Sequence, residues 1–266
     1  MLSICATPIG NLEDVTLRVL EELRSADVVL CEDTRHTRVL LERHGIRAQR
    51  LLSYHEHNEA KRTAEVLPRL QAGERVALVS DAGLPGISDP GARLVAAALE
   101  AGVAVTVLPG ASAVDTALVA SGFPAERYQF VGFLPRGAKA LVALWEDLAG
   151  WRFPVVAFES PRRLPATLRS LAEAQPEREV AVCRELTKRF EEIARGRADE
   201  LAGRFAEPPK GEITLVLGPG VRETDASEAV DAVAELVAAG LPRRRAADLV
   251  ARLTGTSRNE LYRRTL

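Results

Sequence analysis

The sequence has little cysteine and no long hydrophobic run, and both absences narrow the class of protein. No apolar stretch reaches the roughly 20 residues that span a bilayer, and the N-terminus lacks a basic segment followed by an apolar one. Cys5, Cys31 and Cys183 are too few and too widely spaced for a disulfide framework or a metal site, so each is predicted to be a buried apolar side chain. A cytoplasmic protein without a membrane segment is the expectation.

Several motifs of common ligand-binding proteins are also missing. No phosphate-binding P-loop, no G-x-G-x-x-G and no G-x-S-x-G elbow occurs. The tripeptide HEH at 55–57 lacks the i, i+4 spacing of a helical zinc site, so no metal is expected. Where a dinucleotide-binding fold keeps its glycine motif, this chain has TPIGN at 7–11, with one glycine.

Length and charge predict the domain organisation. The 266 residues exceed the usual single-domain size, and 47% hydrophobic with 27% charged residues is ordinary for a globular protein. The prediction is an N-terminal α/β domain at 1–112, a second α/β domain at 113–220, and a linker with a helical basic extension at 221–266. From residue 241 onward the sequence has seven arginines and two carboxylates. This end therefore has a charge of +5, in a chain of net charge −2. Such an end fits either an anionic polymer or a solvated helix face.

Short apolar runs alternate with helical patterns, which predicts a parallel N-terminal sheet. Its strands are predicted at 2–6, 28–31, 76–79 and 103–108. A second set is predicted at 128–133, 155–159, 180–184, 190–196 and 213–217, and its last two strands are expected to pair antiparallel in a mixed sheet. The segment at 221–228 reads as a linker, and the terminal helices are predicted to break at 240–242 and at Gly255.

Polar loops follow the predicted strands, and in an open α/β sheet such loops share the edge where ligands bind. The densest is SDAGLPGISDPG at 80–91, in which Asp81, Ala82 and Gly83 are predicted to contact a ligand and Asp89 to cap the following helix. PGASA at 109–113 offers backbone groups and a serine hydroxyl. Basic side chains of other loops suit contacts with phosphates, and they are Arg35, Arg38, Arg162, Arg163, Arg184 and Lys188.

Taken together, these segments resemble the tetrapyrrole methylase family. The resemblance spans about residues 3–218 and rests on ATPIGNLEDVTLRVL, EDTRHTRVLL, HEHNE, VALVSDAGLPGISDPG, LPGASA, GFLPR, FESPRRL, RELTK and KGEITLVL. Within the family the chain is most similar to the bacterial enzymes that methylate a cytidine 2′-hydroxyl of small-subunit (16S) ribosomal RNA. GTSRNELYRRTL at the C-terminus also resembles the helical extension of that group, whereas Leu84 stands where threonine is usual.

The resemblance implies a homodimer whose two α/β domains bind S-adenosylmethionine in the cleft between them. The implied cofactor contacts are Asp81, Ala82, Gly83, Ser112, Ala113, Phe133, Glu159, Leu186 and Gly211. In the first loop, Pro8 and Ile9 are expected to line the floor of the cleft and Asn11 its acceptor side. The implied partner is small-subunit ribosomal RNA or the assembled 30S subunit, and neither DNA nor a membrane is expected.

Transfer to a ribose hydroxyl is helped by a base near the acceptor, and Glu32, Asp33 and Glu185 are the candidates. Arg35 and Arg184 are expected to hold the flanking phosphates. Two other functions are compatible with the sequence. One is a methyltransferase of the same fold that acts on a tetrapyrrole or another small molecule, and the other is a non-catalytic RNA-binding assembly factor.

Overall fold

The part of the chain that the structure describes divides into two compact units. The structure is a computed structural model, and it describes residues 1–220, 226–254 and 256–265. The larger unit comprises Met1–Ala143 and Phe153–Pro219, and the smaller comprises Leu144–Arg152 and Gly220–Leu266. Among the described helices, none is long and apolar enough to cross a membrane.

The first half of the larger unit contains a parallel five-stranded sheet. Its elements are β1 (Leu2–Cys5), α1 (Leu17–Ser25), β2 (Val28–Cys31), α2 (Thr34–Arg43), β3 (Leu51–Ser53), α3 (Glu59–Gln71), β4 (Val76–Val79), α4 (Ala92–Glu100), β5 (Val105–Leu108) and α5 (Ala113–Ser121). The strand order is β3-β2-β4-β1-β5, and all neighbours are parallel. The parallel N-terminal sheet is therefore confirmed.

The central strands of this sheet are short apolar runs because both faces are covered. Every residue of β1, β2 and β4 is buried, with apolar clusters on either side of the sheet. The predicted bounds of β2 and β4 match the structure, and Cys5, Cys31 and Cys183 are free and buried. The edge strand β3 was not predicted, because it has three residues and all are half-buried.

The helix after β4 begins later than the sequence predicts. Its N-cap is Gly91, with φ of 146°, and α4 starts at Ala92 without a side-chain cap. The prediction that Asp89 caps this helix is therefore wrong. Pro90 and Gly91 continue the loop past Asp89, and only a glycine adopts that backbone angle readily.

The second half of the larger unit contains the mixed sheet. Its strands are β6 (Gln129–Phe133), β7 (Val155–Glu159), β8 (Glu179–Arg184), β9 (Glu192–Arg197) and β10 (Ile213–Leu217), and the order is β6-β7-β10-β8-β9. The pair β6 and β7 is parallel, and the other neighbours are antiparallel. The helices are α6 (Ala138–Ala149), whose residues from Leu144 onward belong to the smaller unit, α7 (Leu164–Ala174) and α8 (Ala198–Arg204).

The prediction that the last two strands pair with each other is wrong, although the mixed sheet is confirmed. Strand β10 lies between β7 and β8, and β9 pairs with β8. The wholly apolar ITLVL of β10 is buried at all five positions, whereas EIARGR of β9 carries charges that suit a sheet edge. In the centre, Ile213 pairs with Glu159 and with Arg184, so β10 begins at the edge where β7 and β8 end.

The smaller unit contains the terminal helices α9 (Ala226–Ala238), α10 (Arg243–Thr254) and α11 (Arg258–Arg264). The break at 240–242 is confirmed, whereas the break at Gly255 lies outside the described residues. Of the predicted linker, residues 221–225 also lie outside them and 226–228 belong to α9. The helices pack around an apolar cluster that includes Val233, Val250 and Leu261. The domain boundaries at 112 and 220 remain predictions.

Candidate functional site

A cavity of about 360 Å³ lies at the edge of the larger unit where strands of both sheets end. Loops after β1, β4, β5, β7 and β8 reach it. Eight predicted cofactor residues line this first cavity, and they are Ile9, Ala82, Gly83, Ser112, Ala113, Phe133, Glu159 and Leu186. Its size is within the range of about 300–1,000 Å³ that is common for small-molecule sites.

The floor of the first cavity is fixed by backbone contacts between the loops after β1 and β4. The Thr7 N–H donates to the Gly83 carbonyl at 2.8 Å, and the Gly83 N–H donates to the Thr7 carbonyl at 3.0 Å. Gly83 has φ of 79°, so a glycine suits this turn. Nearby, Ser112 is the N-cap of α5 and accepts from the Asp115 N–H at 3.3 Å. These hydrogen bonds fix the conformation of the loops that line the first cavity.

Large apolar side chains form the walls of the first cavity. Phe133 is 62% exposed and packs edge-on against Phe158, with 5.4 Å between ring centroids. Ile87 is 49% exposed on the opposite loop, and Leu84 also lines the cavity. Exposed aromatic and aliphatic groups in a cavity are suited to a flat organic ring.

Three carboxylates line the first cavity, and their environments differ. The Glu159 side chain is fully buried, where it accepts from the Thr167 hydroxyl at 2.5 Å and lies 3.3 Å from the Arg163 guanidinium. Burial, and then the charge of Glu32, raise the pKa of Asp89 to about 6. Glu212 precedes β10 and is exposed. The cavity therefore holds acidic groups that favour a cationic ligand.

A second cavity of about 410 Å³ adjoins the first and has a more polar lining. It is lined by Thr7, Pro8, Ile9, Gly10, Leu12, His36, Thr37, Val39, Leu40, Ser80, Asp81, Ala82, Lys188 and Glu212. Three of these residues, Ile9, Ala82 and Glu212, also line the first cavity. The loop after β1 thus lies between the two cavities.

Of the predicted cofactor residues, Asp81 and Pro8 line the second cavity rather than the first, and Gly211 lines neither. The Asp81 carboxylate accepts from the Asp33 N–H at 3.1 Å and lies 3.2 Å from Nδ1 of His36. These contacts join the loop after β4 to the start of α2. Asp81 therefore positions groups around the second cavity.

The three candidate bases line neither cavity, and two are held by cations. Hydrogen bonds from Arg35 hold the pKa of Asp33 well below its usual range, and the same carboxylate is the N-cap of α2. A hydrogen bond from Lys188 lowers the pKa of Glu185. Burial, and then the charge of Asp81, raise the pKa of Glu32. A carboxylate with a lowered pKa is a weaker base, so Glu32 is the stronger base of the three.

Of the predicted RNA-binding residues, two are half-buried and bonded to neighbouring carboxylates, and the others are exposed. Arg184 donates to Glu192 at 2.9 Å and to the Lys210 carbonyl, and Lys188 donates to Glu185 at 2.9 Å and to Glu212 at 2.7 Å. Arg35 is paired with Asp33 and is largely exposed. Arg38, Arg162 and Asn11 are exposed. The Asn11 N–H donates to the Thr187 hydroxyl at 3.0 Å, which joins the loops after β1 and β8.

Glu212, His36 and Asp89 line the cavities but were not identified from the sequence. Most of the predicted site residues follow a strand, whereas Glu212 precedes one. Because β10 runs antiparallel to β7 and β8, its first residue reaches the same edge as their last. The segment KGEITLVL was among the motifs that resemble the family. That Glu212 lies beside the cavities, however, follows only from the antiparallel direction of the strand in this segment.

Family comparisons cover nearly the whole chain. A model of the family described as Tetrapyrrole (Corrin/Porphyrin) Methylases matches residues 1–202. A second model, described as the RsmI C-terminal HTH domain, matches residues 224–266. The first of these includes the parallel sheet and the mixed sheet except β10, and it ends within α8, whereas the second includes the terminal helices.

Full-length relatives and a solved structure are also similar. The ribosomal RNA small subunit methyltransferase I of Mesorhizobium japonicum is 46% identical over 268 residues, which cover 100% of this chain and 91% of that protein. The protein of the same name from Thermotoga maritima is 48% identical over 81% of this chain and 97% of its own length. A uroporphyrin-III C-methyltransferase from Thermus thermophilus, solved in complex with S-adenyl homocysteine, has the same fold, with a TM-score of 0.56, 20% identity, and coverage of 82% of this chain and 96% of that one.

Proposed function

The chain belongs to the tetrapyrrole methylase family, and on that premise we propose that it transfers a methyl group from S-adenosylmethionine to a cytidine 2′-hydroxyl in small-subunit ribosomal RNA. The observation that carries the proposal is the 46% identity over the full chain to a protein named for that RNA. Likeness to the tetrapyrrole enzyme is restricted to the fold, at 20% identity. A ribosomal RNA acceptor is thus favoured over a tetrapyrrole.

The first cavity fits S-adenosylmethionine by its chemistry. That cofactor has an adenine ring, ribose hydroxyls and a cationic sulfur, and when bound it supplies an electrophilic methyl group. Phe133, Phe158 and Ile87 offer apolar surface for the ring, and the backbone of Ala82 and Gly83 offers hydrogen-bonding groups. Carboxylates in the lining favour the positive charge. The contacts that we propose are Ile9, Ala82, Gly83, Ser112, Ala113, Phe133, Glu159 and Leu186, with Asp81, Pro8 and Gly211 as their supports.

The protein contributes mainly by alignment. Displacement at a methyl carbon needs the acceptor oxygen, the methyl group and the sulfur in one line, and fixing that geometry can supply a large part of the rate enhancement. The paired Thr7 and Gly83 backbones and the Asn11 to Thr187 bond hold the loops that border both cavities.

RNA contacts are proposed on both units. On the larger unit, Arg35, Arg38 and Arg162 are exposed and suited to phosphates, whereas Arg184 and Lys188 support neighbouring carboxylates. On the smaller unit, Arg244, Arg245, Arg252, Arg258, Arg263 and Arg264 are exposed. The helix-turn-helix name of the matching family model agrees with a nucleic-acid contact there. We also propose a cytoplasmic homodimer that acts on the RNA or on the assembled 30S subunit.

Methyl transfer to small ribosomal subunits that lack the modification tests this proposal. With radiolabelled S-adenosylmethionine, the expected product is one 2′-O-methylcytidine, located by nuclease mapping. Naked ribosomal RNA in a parallel reaction shows whether the assembled subunit is required. Calorimetric titration with S-adenosylmethionine accompanies the assay. Absence of binding would favour a non-catalytic assembly factor, and labelling of a tetrapyrrole but not of RNA would favour a small-molecule enzyme.

A further inference from the structure

Glu212 occupies the boundary between the two cavities. The first cavity is lined by the carboxylates of Asp89, Glu159 and Glu212, and the second by those of Asp81 and Glu212. Among the described carboxylates, Glu212 alone borders both. If the methyl donor lies in the first cavity, a group that enters the second meets the donor at the residues that the cavities share.

The Glu212 carboxylate is positioned and still accessible. Its backbone N–H donates to Oε1 of Glu185 at 3.0 Å, and its carbonyl accepts from the Glu185 N–H at 3.1 Å. Its Oε2 accepts from Nζ of Lys188 at 2.7 Å, yet the side chain is 73% exposed. One ammonium therefore orients this carboxylate, while its other oxygen is open to a ligand.

The contact between Gly211 and Glu185 fixes this arrangement. Gly211 has φ of 94°, and a Cβ there would lie 2.3 Å from Cγ of Glu185. A side chain at 211 would therefore displace Glu185, which bonds both the Glu212 backbone and Lys188. The glycine at 211 permits the close approach that sets the position of Glu212.

Three of the other acidic residues near the cavities are held by neighbouring groups, whereas Glu32 lines neither cavity and Asp89 lines only the first. Asp33 is held by Arg35, and Glu159 is held by Thr167 and Arg163. Asp81 bonds the Asp33 backbone and lies beside His36, which leaves it anchored at the far side of the second cavity. Glu212 combines an accessible oxygen with a place beside both cavities.

We propose that the second cavity receives the acceptor nucleotide and that Glu212 is the general base for its 2′-hydroxyl, an inference that rests on the proposed function. The 2′-O–H proton passes to the Glu212 carboxylate as the oxygen bonds to the methyl carbon. The carbon–sulfur bond breaks with its electron pair going to sulfur, which leaves a neutral thioether. The proton is then released to solvent, so charge and atoms balance. Lys188 is the positioning residue that orients the carboxylate.

This placement also requires that the ribose of the acceptor nucleotide reaches the second cavity. A ribose that enters the second cavity, between α2 and the loop after β8, brings its 2′-hydroxyl toward Glu212. Val39 of α2 is 55% exposed and lines this cavity, so a larger side chain there would block entry.

The substitution Glu212→Gln tests the base directly, with small ribosomal subunits as the acceptor. Single-turnover methyl transfer is expected to fall by about 10²- to 10⁴-fold, the usual contribution of general base catalysis. The Kd for S-adenosylmethionine, measured by calorimetry, and the Kd for subunits are expected to stay within about threefold. Glu207→Gln, an exposed carboxylate between α8 and β10, is the matched control and should retain wild-type activity.

A pH–rate profile separates a base from a structural group. The wild-type rate of methyl transfer should rise with pH as the carboxylate of the base ionises. This rising part of the profile should be lost in Glu212→Gln. The other titratable or charged groups that face Glu212 are Glu185, Lys188, Asp81, His36, Asp89 and Glu159. Because all six remain in the variant, loss of the rising part identifies Glu212.

The substitution Val39→Trp tests the second cavity. It should abolish transfer while the Kd for S-adenosylmethionine and the melting temperature stay near wild type. Full activity of Glu212→Gln would overturn the proposal that Glu212 is the general base. Loss of S-adenosylmethionine binding in the same variant would show that Glu212 is a cofactor contact instead. Normal transfer by Val39→Trp would overturn the acceptor cavity. Absence of activity in the wild type would instead contradict the proposed function itself.

Discussion

The two sheets of the larger unit contribute to the site in different ways. The parallel sheet supplies loop backbone after its strands, as in the paired Thr7 and Gly83 groups, whereas the mixed sheet supplies charged side chains joined in ion pairs. Strand direction adds one group to the mixed-sheet side, because the antiparallel strand β10 brings Glu212, the residue before it, to the edge where β7 and β8 end. One half of the site is thus set by backbone conformation and the other by charge pairing.

If the mixed-sheet side depends on charge pairing, breaking its buried pair should have the largest effect on stability. Glu159→Ala leaves Arg163 and the Thr167 hydroxyl without their carboxylate, and is expected to cost about 3 kcal/mol in the free energy of unfolding. Urea denaturation measures this. The exposed pair of Arg204 with Glu192 provides the control, since Arg204→Ala should cost less than about 1 kcal/mol. Equal costs for the two variants would contradict the comparison.

Close backbone approach joins the two sides, and a methyl group there should disrupt both. At Gly10 a Cβ would lie 2.5 Å from Cγ of Lys188 and 2.8 Å from the Leu186 carbonyl. Gly10→Ala is expected to lower the free energy of unfolding by about 2 kcal/mol and to reduce methyl transfer.

The matched control for Gly10 is Gly203→Ala in α8. A Cβ at Gly203 meets nothing within 4 Å, so this change should be neutral or stabilise by about 0.5–1 kcal/mol. Thermal melting and transfer assays on the two variants give the comparison. A Gly10→Ala protein as stable and active as Gly203→Ala would show that the two loops do not need this contact.

The parallel-sheet side should respond to pH through Asp89. Its folded pKa of about 6 is above the usual carboxyl value of about 4, so the folded state holds this proton more tightly than the unfolded state. Stability from this group is therefore lost as pH rises from about 4 to about 6. Asp89→Asn should match wild type at pH 4 and exceed it by about 1 kcal/mol at pH 7, a value discounted for partial exposure.

Urea denaturation of wild type and Asp89→Asn at several pH values measures this smallest effect. Asp115→Asn, an exposed carboxylate in the first turn of α5, serves as a control without the same dependence on burial. The opposite result would be a wild-type protein that becomes more stable than Asp89→Asn, by about the same amount, as the pH rises from 4 to 7. It would mean that Asp89 is stabilised as the carboxylate.

Much of the fold was predictable because its signals are local. The buried runs at 28–31, 76–79, 155–159 and 213–217 are strands with the predicted bounds, since continuous apolar segments of this length suit a sheet covered on both faces. Strand β3 and the start of α4 were missed, because a three-residue edge strand has little pattern and a Pro-Gly pair can either cap a helix or extend a loop.

On the parallel-sheet side the lining residues were predictable from the order of strands and loops, whereas Phe133, Glu159 and Leu186 on the other side were predicted from the family resemblance. Crossover connections make the loops after β1, β4 and β5 share an edge, so Ile9, Gly83 and Ser112 were expected together and all line the first cavity. The neighbours of β10 depend instead on which strand takes the central position. That choice placed Glu212 beside both cavities and could not be made from local pattern.

The sequence by itself determined the alternation of strands and helices, the parallel sheet and the family, because hydrophobic periodicity and ordered motifs are properties of short segments. Only the tertiary structure decided that β10 lies between β7 and β8, that Asp89 faces a cavity, and that Lys188 orients Glu212. These are contacts between residues far apart in the chain. Their energies depend on burial and distance, which exist only after the sheets have formed.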